Sequence, residues 1–275
     1  MISYRSFLPS LFAAGLLLSA TPALADDTDP PKDITVSGSV ALVSDYRFRG
    51  VSQSDKGFAI QGGITATHKS GVYVGFWSSN LAGWGTFGGP NLELDLIAGY
   101  SRRLGPGKID VGLTWYMYPG GANTTDFAEP YVKYSGTIGP VNALVGVAYA
   151  PPQRALGNFS NTPQSRGQAQ DNVYVWGDAS VGIPKTPITA KAHLGHSWGN
   201  PGLGPNGTSV TPTGSYTDWL LGVDYALGPV TLGVAYTDTD ISAARSAYLL
   251  PNFSSTKNGS SIAGSRAVFS ISAAF

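Results

Sequence analysis

The chain closes on AVFSISAAF, in which Ala267, Phe269, Ile271, Ala273 and Phe275 make one apolar face. A period of two marks an extended strand whose two faces meet different surroundings. The aromatic at the last position adds a second constraint, because aromatic side chains anchor strand ends at a membrane–water interface. The same alternation recurs upstream. In 109–118, Ile109, Val111, Leu113, Trp115 and Met117 oppose Asp110, Gly112, Thr114, Tyr116 and Tyr118. In 91–102, Leu92, Leu94, Leu96, Ala98 and Tyr100 oppose Glu93 and Asp95, and in 216–227, Trp219, Leu221, Val223 and Tyr225 oppose Asp218 and Asp224. Charge collects on one face only, as it must where the other meets hydrocarbon and a Lys or Arg at mid-depth costs roughly 2–4 kcal/mol. Only 72–79 leaves its orientation open, since Val72, Val74, Phe76 and Tyr73, Trp77 are both apolar sets.

Counting such segments predicts twelve strands, at 34–48, 57–68, 72–79, 91–102, 109–118, 126–135, 141–150, 172–183, 187–198, 216–227, 230–238 and 265–275. Most are close to the 9–11 residues that cross a bilayer at a steep tilt. The connections alternate in length. Short turns fall at Lys69-Ser70-Gly71, Leu104-Gly105-Pro106-Gly107, Thr137-Ile138-Gly139-Pro140, Pro184-Lys185-Thr186 and Gly228-Pro229, with longer polar loops near 49–56, 80–90, 119–125, 151–171, 199–215 and 239–264. The expected fold is therefore all-β: a single antiparallel transmembrane β-barrel of about twelve strands over 34–275, with short periplasmic turns, long external loops and both termini periplasmic. Outward aromatics are expected at both rims: Tyr46, Phe48, Phe58, Phe76, Trp115, Tyr149, Trp198, Trp219 and Tyr236 at the long-loop ends, and Tyr100, Tyr134, Tyr225 and Phe275 at the short-turn ends.

The N-terminus and composition agree with export to a bacterial outer membrane. Arg5 precedes an apolar run from about Phe7 to Ala20, and Ala23-Leu24-Ala25 offers the small-x-small pattern of a signal-peptide cleavage site, so 1–25 read as a signal peptide. Residues 26–33 (DDTDPPKD) read as a periplasmic tail. Without cysteine the chain holds no lipoprotein acylation site, disulfide framework or thiolate metal site. Only 12% of residues are charged, against about 25% in typical soluble domains. A formal net charge of zero argues against a nucleic-acid partner, which favours a basic face.

A more specific signal lies in VSDYRFRGVSQSDKGFAIQGG at 43–63, followed by GVYVGFWSSN at 71–80, ELDLIAGY at 93–100 and IDVGLTWYMYPG at 109–120. This resembles the TorF family of porin-type proteobacterial proteins, whose opening S-D-Y-x-x-R-G-x-S-x-S stretch is matched by Ser44, Asp45, Tyr46, Arg49, Gly50, Ser52 and Ser54. The likeness covers about 34–150, continues through Glu129 and Tyr131, and is architectural beyond that. It implies an outer-membrane barrel of porin type and supplies no catalytic or substrate residues to carry over.

Strand parity nominates an inward-facing set: Asp45, Arg47, Arg49, Glu93, Asp95, Asp110, Glu129, Lys133, Asp178, Lys191, Asp218, Asp224 and Arg266, with Gln61 and His193. Two readings are open. The charges form pore-lining rings that set ion preference, or they pair into networks bracing a closed lumen. Asp45, Arg47 and Arg49, near the first long loop, are the candidates for a constriction or gate, and the excess of acids favours weak cation preference. Enzymatic chemistry finds little support: the histidines are His68, His193 and His196, and the His193-x-x-x-Ser197 spacing on one strand does not build a catalytic triad. The sequence thus points to a passive channel for small hydrophilic solutes or ions. It predicts no cofactor, and it predicts outer-membrane lipid, lipopolysaccharide and the barrel-insertion machinery as partners. The alternative is a non-conducting barrel that binds or braces through its long loops.

Overall fold

A computed structural model describes residues 33–86, 89, 91–121, 124–157, 166–199, 215–242 and 254–275. The expected signal peptide and most of the tail, like much of the long loops, lie outside the described residues. Twelve antiparallel strands close into one barrel: β1 (Ile34–Val43), β4 (Ala59–His68), β5 (Val72–Asn80), β6 (Leu92–Leu104), β7 (Gly107–Met117), β8 (Phe127–Ile138), β9 (Val141–Gln153), β10 (Gln170–Gly182), β11 (Ile188–Gly199), β12 (Tyr216–Leu227), β13 (Val230–Thr239) and β14 (Arg266–Ala274). Each pairs with its neighbours in sequence, apart from a separate pair of two-residue strands, β2 (Arg47–Phe48) and β3 (Val51–Ser52). Closure joins the first strand to the last, with Ser39 opposite Ala274 and Val43 opposite Ser270. Phe275 extends the seam by exchanging backbone hydrogen bonds with Gly38 at 2.9 and 3.0 Å. Closure removes both sheet edges and satisfies their backbone groups.

The side-chain distribution is inside-out relative to a soluble protein. Ile60, Leu221 and Phe269 are 66%, 62% and 60% exposed, while Asp45, Arg49, Glu93, Asp95, Glu129, Lys133 and Asp218 are buried. Outward faces of this kind need an apolar medium. The orientation of 72–79 is resolved: Val72, Val74 and Phe76 face outward, and Tyr73 and Trp77 are buried inside. Several inward aromatics lie over cross-strand glycines. Tyr73 pairs with Gly99 and Tyr131 with Gly112, and a Cβ on either glycine would meet the tyrosine ring at about 2.5 Å. Such aromatic–glycine pairs curve a sheet without leaving gaps.

The predicted strands agree with those found, the 216–227 segment residue for residue. The first departs most. Read as 34–48, it ends at Val43, where Ser44 makes its last contacts with Phe269 of β14 and the chain turns into the lumen. Tyr46 and Phe48, expected among the outward rim aromatics, are consequently buried inside. The remaining rim aromatics stand outward, with Trp219 half-buried.

Candidate functional site: a segment folded into the lumen

Residues 44–58, of which 49–56 were expected to form an external loop and the rest to extend the flanking strands, fold back into the barrel and cross it. The crossing is built on the β2–β3 hairpin, with Arg47 opposite Ser52 and Phe48 opposite Val51. Its turn, Arg49-Gly50, has φ of 47° and 78°, the positive pair that a tight primed hairpin turn demands. Gly50 is forced on a second count: a Cβ there would lie 2.4 Å from Thr239 Cγ2 and 2.9 Å from Asp218 Cβ. The tip therefore rests against β12 and the end of β13, three and two strands round the barrel from β1, where the segment enters.

Asp45 organises the segment's base. It accepts hydrogen bonds from Ser52 Oγ at 2.5 Å and Arg47 Nε at 2.8 Å, and Arg266 Nε of β14 lies 3.3 Å away. Arg47 also donates to the carbonyls of Gly50 and Gly264. Arg49 reaches the opposite wall. Its Nη2 lies 2.7 and 2.8 Å from the two carboxylate oxygens of Glu129 on β8, its guanidinium sits 4.1 Å from the ring centre of Tyr174 on β10, and its carbonyl accepts from the Tyr216 hydroxyl of β12. Phe48 packs edge-on against Tyr116 of β7. An Arg held at positive φ is strained, and such strain persists only where contacts over-determine it.

A second segment, within 239–264, covers the first. Ile262 and Ala263 pack on Val51, Tyr216 and Ile241, Ser52 donates its backbone N–H to Ile262, and Thr256 Oγ1 donates to Asp55 at 2.6 Å. Lys56 reaches Ser260; partial burial and the nearby Arg266 hold its ammonium below its ordinary pKa range. Residues 243–253 lie outside the described residues.

The structure turns every nominated residue inward, and most are paired. Lys133 lies 3.5 Å from Asp110, which also accepts from the Tyr73 hydroxyl at 2.7 Å. Lys191 meets Asp224 at 2.6 Å. His193 is held between Asp178 (2.6 Å from Nδ1) and Asp218 (3.2 Å from Nε2), with the Tyr174 hydroxyl 2.9 Å from Nε2. Its ring nitrogens thus go to carboxylates and a phenol, while Ser197 donates to Asn172, so the His-x-x-x-Ser spacing brings no dyad together. Gln61 is buried beside Ser79. Glu93 and Asp95 stand apart, with no Lys or Arg at ion-pair distance among the described residues.

Strand parity put Tyr116 and Tyr118 on the inner face, but sequence reasoning missed the extent of the aromatic interior. Tyr46, Phe48, Trp77, Tyr116 and Phe127 form one buried cluster, and Tyr131, Tyr174 and Trp176 another. Toward the short-turn end the inward face is small and polar, and Thr35 and Ser37 are exposed while Thr65, Thr67, Ser101 and Ser135 are half-buried. A cavity of about 680 Å³ opens at the long-loop rim, lined by Tyr118, Thr125, Asp126, Gln153 and Arg154.

A family model described as "Bacterial protein of unknown function (Gcw_chp)" matches residues 27–275. No curated protein sequence matches the chain. Among solved structures the chain is similar to the NanC porin, at 10% identity and a TM-score of 0.55, over 88% of this chain and 99% of that one. It also aligns with the COG4313 outer membrane channel from Pseudomonas putida F1, at 11% identity and a TM-score of 0.41, over 90% of this chain and 99% of that one. The NanC likeness shows that the fold is a porin-like barrel.

Proposed function

The chain belongs to this bacterial family of proteins of unknown function, and we propose that it is an outer-membrane, porin-like channel for passive diffusion of small hydrophilic solutes or ions. The TorF resemblance read from 43–63 forms part of the same proposal. The observation that carries it is the closed twelve-stranded barrel with an apolar outer face and a polar interior. Twelve strands at about 4.8 Å spacing and about 40° tilt give a backbone diameter near 24 Å, between barrels filled by their own side chains and wide porins. Short turns face the periplasm and long loops the exterior in barrels of this kind, which puts both termini in the periplasm and the 44–58 segment in the external half of the lumen. Its partners are then membrane lipid, lipopolysaccharide in the outer leaflet and the barrel-insertion machinery.

The paired charges favour the bracing network over free charged rings, so the segment's role in this proposal is a constriction that sets which solutes pass. The same pairing supports the second reading, a non-conducting barrel whose loops bind or brace. Liposome swelling with refolded protein decides between them. Swelling that falls steeply with the size of neutral sugars supports a constricted channel; no swelling for any solute, with folded protein shown by heat-modifiable gel mobility, supports the non-conducting barrel.

A further inference from the structure

Among the described residues, five basic side chains of the lumen are paired with acids: Arg47 and Arg266 with Asp45, Arg49 with Glu129, Lys133 with Asp110 and Lys191 with Asp224. Two acids are left over. Asp95 is 1% exposed and Glu93 2%, and both oxygens of Asp95 lack any hydrogen-bond partner. Ionised and without a counter-charge or donor, a buried carboxylate is among the costliest arrangements in a folded protein, so Asp95 takes up either a proton or a cation. Its surroundings are specific. Asp95 lies directly between Trp77 of β5 and Tyr116 of β7 in the sheet register, Tyr46 of the inward segment packs edge-on against Trp77 at 5.4 Å, and the buried Tyr46 hydroxyl is turned to Glu93 without completing a well-formed hydrogen bond. The Tyr118 hydroxyl bonds to Glu93, and Tyr118 also lines the cavity at the long-loop rim.

We propose that Asp95 and Glu93, walled by Trp77, Tyr46, Tyr116 and Tyr118, form a binding site for a small monovalent cation of the sodium or potassium class. Two carboxylates and a set of phenol oxygens are hard donors, and the aromatic faces add cation–π attraction. Two carboxylates fall short of the carboxylate-rich cages that calcium takes and of the octahedral demand of magnesium. The remaining neighbouring acid, Glu129, is already neutralised by Arg49. Tyr118 is shared between the site and the rim cavity, which Asp126 and Arg154 also line. The inward segment supplies Tyr46, so cation binding and the seating of that segment favour each other.

The site goes beyond the channel reading, and its test does not need conductance. The refolded mature barrel in detergent is heated in sodium chloride, potassium chloride or N-methylglucamine chloride at equal ionic strength. The proposal expects a saturable rise in unfolding midpoint with sodium or potassium, about 3–6 °C at tenfold excess over the dissociation constant, and none with N-methylglucamine. Asp95→Asn should abolish the response, and should Asp95→Asn fail to refold, Glu93→Gln carries the same comparison. Equal midpoints in all three salts, a response that survives both substitutions, or a midpoint that follows pH alone, with a proton as the occupant, would each overturn it.

Discussion

Replacing Arg49 by Met separates the inward segment from the barrel that holds it. The substitution keeps length and apolar bulk and removes a guanidinium whose side chain is 5% exposed, paired with a Glu129 side chain 4% exposed. Breaking a buried pair by removing one partner costs about 3–5 kcal/mol, because the other charge stays behind. That cost falls on the seating of 44–58 and leaves the wall's backbone ladders intact. The ratio of seated to released segment then drops by a factor of about 10² to a few times 10³. Hydrogen exchange reads this directly: the amides of Tyr46, Ser52 and Gln53, which are bonded within the lumen at 2.7–3.0 Å, should exchange at least about 10²-fold faster, while β6–β9 hold their protection. Arg49→Met combined with Glu129→Gln should recover part of the loss, since no unpaired charge remains. Unchanged exchange at these amides would refute the reasoning, as would equal acceleration throughout the barrel, which would make Arg49 a brace of the wall itself.

Gly50→Ala should release the same segment with no change of charge, because the added Cβ collides with Thr239 and Asp218 at a positive φ; the same exchange measurement checks it. Leu221→Arg, at the middle of β12 on the outward face, should lower stability by roughly 2–4 kcal/mol in denaturant unfolding from lipid vesicles, and Leu221→Ile by far less. Deleting Phe275 removes two closing hydrogen bonds to Gly38 and the ring packed over it. The fraction that folds in vesicles, read from heat-modifiable mobility, should fall while Ala274 still pairs with Ser39.

The barrel was legible because its signal is local and repeated. A period of two, with the lipid side kept free of charge, fixes side-chain direction strand by strand, and β12 shows it with Asp218 and Asp224 inside and Leu221 and Val223 outside. The same rule misled at Tyr46 and Phe48. It assumes continuous extension, and the chain leaves the sheet after Val43, so residues of both parities end up inside. Nothing local to SDYRFRG distinguishes a strand end from a segment about to cross the lumen; that outcome is set by Glu129, Tyr174 and Tyr216, some 80 to 167 positions away. A partial signal was present in Gly50, since a tight hairpin turn favours glycine at its second position. The pairing of charges was equally out of reach, because which acid meets which base depends on barrel register.

The proposed channel conducts through a lumen that 44–58 narrows. Single-channel current in a planar bilayer tests it directly, comparing the refolded mature chain with one in which 47–55 are replaced by a short Gly-Ser linker. Discrete, small steps are expected for the natural sequence and larger steps for the replacement. Steps of equal size would contradict the constriction, and an absence of steps from both folded proteins would contradict the channel.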